Sequence, residues 1–306
     1  MKVFVGSPPS PNRPLFARIF ITPDERRLRS GWRLLGQFLL LEVIAVIFAI
    51  SLGSAFLLSP LQNRTLLVVQ VVTFLSVNIS VYLARRYFDR RSMVSLGLVW
   101  NSKAIRDLLY GITLSGLMMA MVFLIEWVAG WLTFESFAWN TEPPSEVITG
   151  ILIILGIFIL TGWQEELLTR GYQLQNLIEG TGLIMGLVLS SIIFAILHVS
   201  NPNYLWSALI GLIAAGLFLA YGYLRTMQLW LPIGLHIGWN FFEGAIFGFP
   251  VSGLKTFQLI NHVDTGPVFF TGGAFGPEAG FILLPILLIG VGLVHWYTRK
   301  KGGVIG

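Results

Sequence analysis

Two adjacent carboxylates and a guanidinium stand where charge is least expected in this chain. Glu165, Glu166 and Arg170 directly follow the apolar run 151–160. An ionisable group at membrane depth costs roughly 2.5 to 3.5 kcal/mol on insertion scales, so it indicates a functional site by default. On a helix, Glu166 and Arg170 lie one turn apart and can neutralise each other. Glu165 points about 100° further round, so it must be protonated, face a hydrated cavity or have a partner elsewhere.

Two histidines and an asparagine are the next polar groups inside apolar runs. His198 closes the run that begins at Ser191, and His236 lies one helical turn before Asn240, on the same face. Taken alone, each is more often a packed polar residue than a catalyst. Their occurrence together with the acid pair, on four consecutive helices, predicts one shared site. The remaining histidines, His262 and His295, are expected to reach water outside it.

These residue types can hydrolyse an amide directly. A carboxylate beside an imidazole can hold a water molecule and take its proton. A second imidazole and a side-chain amide are donors that suit an oxyanion. The rival interpretation is a zinc site, since two histidines and one or two glutamates leave an open position on the metal. The His-Glu-x-x-His spacing is absent and the ligands would come from three helices, so the metal-free version is favoured.

The composition is that of a polytopic membrane protein. Hydrophobic residues make up 55% of the 306 residues, charged residues 11%, and the mean hydropathy is +0.76; soluble domains carry about 25% charged residues. The polar, proline-rich start lacks an apolar segment typical of a cleaved signal peptide. The chain has no cysteine, which excludes disulfides, thiolate metal sites and thiol nucleophiles.

Eight apolar runs are long enough to cross about 30 Å of hydrocarbon. We therefore predict an all-α bundle of about eight transmembrane helices, with a tail at 1–30 and a single membrane domain at 31–306. Gln70, Asn78 and Ser80 are predicted to be donors of hydrogen bonds between helices. The eight runs are 34–58, 66–84, 108–132, 147–168, 183–200, 204–224, 229–248 and 279–297.

Basic residues predict the orientation. An even number of spans places both termini on one side, and 17 of the 20 Lys and Arg fall on that side. Cytoplasmic connections carry such an excess, so both termini are expected in the cytoplasm of a bacterial cell. This topology accounts for the net charge of +5, and no nucleic-acid partner is predicted.

Three motifs in order give a family resemblance. They are Glu165-Glu166-x-x-x-Arg170, Phe194-x-x-x-His198 and His236-x-x-x-Asn240. On these residues the chain resembles the CPBP family of intramembrane proteases, which includes CAAX-prenyl endopeptidases of the Rce1 type and bacteriocin-immunity relatives. The resemblance covers about 145–248. It implies an Rce1-like core, no cofactor, and a protein or peptide substrate at the lipid bilayer, lipidated or not.

The resemblance also implies roles for the motif residues. Glu165 would activate the hydrolytic water together with His198, and His236 and Asn240 would form the oxyanion site. Glu166 and Arg170 would orient the site, and Phe194 would pack beside His198. The site residues predicted in this way are Glu165, Glu166, Arg170, Phe194, His198, His236 and Asn240.

Two other functions stay open. A non-catalytic scaffold or immunity protein would keep the fold and bind a partner. A transporter would use Glu42, Glu126 and Glu165 along a path, although no internal repeat supports it.

Depth sets one structural condition on the site. Glu165 would lie near the end of the fourth span and His198 far along the fifth. The two can meet if the fourth helix is over-long, continuing through Gln173, Asn176 and Glu179, so that Glu165 lies near mid-membrane. The polar side chains Arg170, Gln173 and Asn176 would then line a cavity, which is expected to open towards the cytoplasm.

Overall fold

The computed structural model describes residues 15–22, 25, 27–57 and 62–299, so most of the predicted tail 1–30 lies outside the described residues. The division into a tail and a membrane domain at 31–306 stays a prediction. In chain order the α-helices and strands are α1 Leu15–Phe20, α2 Ser30–Leu57, α3 Gln62–Leu83, α4 Ser102–Val128, β1 Leu132–Phe137, α5 Pro144–Glu166, α6 Leu174–Thr181, α7 Leu183–Ile196, α8 Trp206–Thr226, α9 Trp230–Asn240, β2 Ile260–Asp264, α10 Val268–Thr271 and α11 Leu283–Thr298.

Each of the eight predicted spans coincides with a helix, which confirms the all-α membrane bundle. Five segments of the described chain are long and apolar enough to cross a membrane. α7 and α11 are apolar but shorter. The seventh predicted span consists of α9 and a π-helical turn at Phe241–Ile246, so it is less regular than the sequence suggested.

The fourth span is over-long, as predicted. α5 continues without a break through a π-helical turn at Leu167–Gln173 into α6, and the whole segment Pro144–Thr181 has 38 residues. A helix of that length measures about 57 Å, nearly twice the hydrocarbon thickness of about 30 Å. Glu165 therefore lies well inside the segment and not at its end.

Polar side chains on α3 hold α5 in place. Gln164 Nε2 donates to Gln70 Oε1 (3.0 Å), and Trp163 Nε1 donates to Asn78 Oδ1 (3.0 Å). These bonds place Gln70 and Asn78 between helices, as predicted, but the predicted donor role is wrong, because in each bond the α3 side chain is the acceptor. They fix the α5 residues that immediately precede Glu165.

A two-stranded sheet joins two connections on one side of the bundle, which the span analysis did not predict. β1 and β2 pair antiparallel, from Leu132 opposite Asp264 to Phe137 opposite Ile260, with an irregularity after Phe134. β1 contains Thr133, Phe134 and Phe137, residue types that are enriched in strands. The two strands lie far apart in sequence, so their pairing leaves no local signal.

Basic and acidic side chains form a buried network at the end of the bundle where α2 begins, and we call this end the basic end. Arg33 contacts Asp89 (2.9 Å) and Glu179 of α6 (2.5 Å), and Arg85 also contacts Asp89 (2.7 Å). Arg27 adds a contact to Glu179 at 2.9 Å. The network fastens the far end of the long α5–α6 segment to α2 and α3.

α4 and α9 pack with their backbones in contact, because glycines line both surfaces. A Cβ atom on Gly111 would come within 2.6 Å of Leu235 N, and one on Gly234 within 2.2 Å of Leu108 O. Small residues permit such close approach between membrane helices. The contact fixes the depth and rotation of α9, which carries His236 and Asn240.

Gly234→Ala is expected to destabilise the protein by about 1–3 kcal/mol, since the added methyl group meets backbone that can move only with α4. Thermal unfolding in detergent measures the effect. Gly156→Ala on α5 is the matched control, because no heavy atom lies within 4 Å of its added Cβ. Equal melting temperatures for the two variants would contradict the close α4–α9 contact.

Candidate active site

Glu165 places a carboxylate oxygen between two imidazoles. Its Oε2 lies 3.9 Å from His198 Nε2 and 3.8 Å from His236 Nε2. This oxygen is buried and has no hydrogen-bond partner among the described residues, although the side chain as a whole is 24% exposed. Polar atoms separated by more than about 3.5 Å are commonly bridged by water. The three atoms thus outline a position for one water molecule.

His198 is held by the helix that precedes it. It lies in the turn after α7, and its Nδ1 is 2.8 Å from the carbonyl oxygen of Phe194. A carbonyl only accepts hydrogen bonds, so Nδ1 carries the hydrogen and donates it. In the neutral ring, Nε2 is then an acceptor, and it faces Glu165.

Glu166 joins Arg170 to His236. Its Oε1 accepts from Arg170 Nη1 at 2.9 Å and lies 2.9 Å from His236 Nδ1, and all three side chains are almost completely buried. Arg170 also donates to Thr169 Oγ1 (2.7 Å) and to the carbonyl of Gly216 (3.1 Å). A carboxylate bound to one ring nitrogen fixes the orientation of the other. Glu166 therefore aims His236 Nε2 at Glu165.

Phe194 packs against both imidazoles and the guanidinium. Its ring centroid lies 4.9 Å from that of His198 and 6.1 Å from that of His236, and the Arg170 Cζ atom lies 4.3 Å from it. A guanidinium at that distance from an aromatic face is attracted to it. The predicted contact with His198 is present, together with two that the sequence did not indicate.

Asn240 lies beside His236 but not at the point where the other three groups meet. It is 6% exposed and lines a small cavity of about 40 Å³, together with Phe194, His236 and Glu278. Neither Glu165 nor His198 is among the residues that line this cavity. His236 thus stands between the water position on one side and the cavity with Asn240 on the other.

Sequence reasoning missed the carboxylate of Glu278. This residue lies in the loop before α11, is 7% exposed and accepts a hydrogen bond from Ser252 Oγ. It was missed because no other residue near it in sequence suggests chemistry. The one available signal was a single acid inside a glycine-rich segment that directly precedes the last apolar run.

The other polar candidates lie outside this cluster. Glu42 is exposed on α2, and buried Glu126 lies within electrostatic range of Asp264 in β2. His262 bonds the carbonyl of Phe247, and His295 bonds the hydroxyl of Tyr221. The described structure therefore shows no chain of carboxylates from Glu42 through Glu126 to Glu165 of the kind a transport path would use.

A zinc ion would need a compact ligand set. The searched part of the chain, 15–22, 25, 27–57 and 62–299, contains no group of three or more His, Asp or Glu arranged to hold a metal ion. Glu165, His198 and His236 come nearest, with donor atoms 3.8 and 3.9 Å apart. Ligands on tetrahedral zinc, each about 2.0–2.1 Å from the metal, lie about 3.3 Å from one another.

Comparison with known proteins identifies the segment that carries this site. Residues 147–242 match the family described as type II CAAX prenyl endopeptidase Rce1-like. Comparison with curated proteins gave no significant match. The matched segment runs from the start of α5 to the end of α9 and includes Glu165, Glu166, His198, His236 and Asn240. Residues 147–242, which carry this site, are thus similar to the Rce1-like family of type II CAAX prenyl endopeptidases.

Proposed function

We propose that the protein is an intramembrane endopeptidase that hydrolyses peptide bonds of membrane-associated proteins or peptides. Glu165, together with His198, activates a water molecule that attacks the carbonyl carbon. The observation that carries the proposal is the convergence of Glu165 Oε2 with the Nε2 atoms of His198 and His236, at 3.9 and 3.8 Å, from three separate helical segments.

The proposed mechanism gives the site one extra proton. A water molecule has two hydrogens, while Glu165 Oε2 and two neutral imidazole Nε2 atoms present three acceptors. In the proposed mechanism one of these groups is protonated and donates to the water instead. His236 suits this role, because its Nδ1 contacts Glu166 Oε1 at 2.9 Å and a carboxylate stabilises an imidazolium. Glu165 and neutral His198 remain free to accept a proton from water.

A protonated His236 also explains how the oxyanion is stabilised. Its Nε2–H donates towards the carbonyl oxygen as negative charge develops there, and the Asn240 amide, one turn further along α9, supplies the second donor. Arg170 and Glu166 act through His236 as a positioning pair. In this scheme the seven residues of the three motifs have the roles that the family resemblance implies.

A purified-protein assay tests the catalytic type. With the protein reconstituted in liposomes and quenched lipid-anchored peptides as substrates, we expect cleavage that a strong chelator changes by less than about twofold, because no proposed step uses a metal. Loss of activity on chelation, with recovery on adding zinc, would establish the zinc-dependent alternative. Absence of cleavage of any peptide would favour the scaffold or immunity protein.

We also propose that both termini face the cytoplasm. The basic end gathers Arg27, Arg33 and Arg85 on one side of the bundle, and β1 and β2 lie beyond the opposite end of α4. Positive charge favours the cytoplasmic side. The partners in this proposal are the lipid bilayer and a protein or peptide substrate, with lipidated substrates included.

A further inference from the structure

The loop before α11 carries Glu278 into the helix bundle. Glu278 lies in a short turn, Pro277–Ala279, whose backbone contacts α8. A Cβ atom on Gly211 of α8 would come within 1.9 Å of the Glu278 carbonyl oxygen, so only glycine admits the loop at this depth. The contact with Gly211 therefore fixes the backbone of Glu278 against α8.

Ser252 holds the carboxylate and links it to His198. Both the hydroxyl and the backbone N–H of Ser252 donate to Glu278. Ser252 has a φ of 45°, a left-handed conformation that is unusual for a residue other than glycine. Its carbonyl accepts from Asn201 Nδ2 at 3.0 Å, three residues beyond His198. Ser252 therefore connects Glu278 to the turn that contains His198, through hydrogen bonds to Glu278 and Asn201.

Glu278 lies on the side of His236 that faces Asn240. It lines the cavity with His236 and Asn240, and it is within electrostatic range of both His198 and His236. The lining of this cavity contains no Lys or Arg, but it includes His236, which is the imidazolium of the proposed mechanism. Glu278 thus lines the same cavity as Asn240, the residue that the proposed mechanism places at the substrate carbonyl.

We propose that Glu278 binds the leaving nitrogen of the scissile amide, an inference that rests on the proposed endopeptidase function. A carboxylate would repel the oxyanion, so its place is at the amine side of the bond. Glu278 accepts a hydrogen bond from the amide N–H in the substrate. This bond strengthens as the nitrogen becomes an ammonium, which makes the interaction larger in the transition state than in the substrate.

The reaction balances without any proton moving to Glu278. The water oxygen bonds to the carbonyl carbon, and Glu165 takes one water proton. When the C–N bond breaks, Glu165 returns this proton to the nitrogen to give a neutral amine, and the new carboxylic acid then transfers its own proton to that amine. The products are a carboxylate and an ammonium, which Glu278 holds until release.

Paired amide and ester substrates test this role. The probe is a quenched, prenylated Cys-aliphatic-aliphatic-Met peptide in liposomes, together with a copy in which the cleaved bond, mapped by mass spectrometry, is an ester. An ester leaves as an alcohol with no N–H for Glu278 to bind. We expect Glu278→Gln to lower kcat/KM for the amide about 10- to 100-fold, and kcat/KM for the ester less than about threefold.

Control variants separate this inference from the function on which it rests. Glu243→Gln is the matched control, since Glu243 is buried near Glu278 but does not line the cavity; its amide-to-ester ratio should match that of the wild type. Ser252→Ala, which removes one support of Glu278, should give a smaller amide-selective loss. Equal losses on both substrates, or none, in Glu278→Gln would overturn the role of Glu278. Full activity of Glu165→Gln, or no cleavage by the wild type, would overturn the proposed function itself.

Discussion

Glu165→Gln is expected to lower kcat by at least about 10³-fold, because an amide cannot take the proton of the attacking water and general-base catalysis supplies about 10² to 10⁴ of the rate. Glutamine has nearly the same shape as glutamate, so the packing around α5 should be kept. The Oε2 atom of Glu165 makes no hydrogen bond among the described residues that the substitution would break. Initial rates of peptide cleavage in liposomes, at saturating and at low substrate, measure the loss.

Glu126→Gln provides the comparison for this variant. It is also a buried glutamate in a membrane helix, but it lies near β2 and outside the site. The control should cleave at the wild-type rate, and both variants should elute as the wild type does on size exclusion in detergent. Wild-type activity in Glu165→Gln would refute the water-activation mechanism.

Arg170→Met is expected to cost about 3–5 kcal/mol of stability, because it removes the guanidinium that pairs with the buried Glu166 carboxylate and leaves His236 as the one cation beside it among the described residues. The methionine also loses the donors to Thr169 and to the Gly216 carbonyl, which join the π-helical turn to α8. Glu166 would also lose the bond from Arg170 that positions it beside His236, so activity should fall as well. Thermal or denaturant unfolding in detergent, with ligand-free protein, measures the change.

A double-mutant cycle isolates the ion pair. Glu166→Gln removes the charge that Arg170 neutralises, so Arg170→Met in that background should cost less than it does in the wild type. Arg225→Met, a change at a buried arginine near the end of α8 that bonds Thr298 rather than the site, is the matched single variant. Additive costs for Arg170→Met and Glu166→Gln would contradict the coupling.

The predictable part of the site is the part encoded by local spacing. Glu166 and Arg170 pair as their separation of four residues required, and the apolar runs locate the helices. The contact between Glu166 and His236 was not predictable, because it joins residues 70 positions apart on different helices. The same holds for Glu278, whose position depends on Gly211 and Ser252. A motif names the groups that matter, but tertiary packing decides which atoms of them face each other.

The widened turn between α5 and α6 lets one helix present two different faces. Glu165 and Glu179 are 14 residues apart, and in an unbroken α-helix they would point within about 40° of each other. The π-helical turn absorbs about one residue, which offsets the second half by about 100°. Glu179 therefore turns towards Arg27 and Arg33 while Glu165 turns towards the histidines. Deletion of a single residue from this turn would return Glu165 and Glu179 to nearly the same face. The helix could then keep the contacts of Glu179 with the arginines or those of Glu165 with the histidines, but not both.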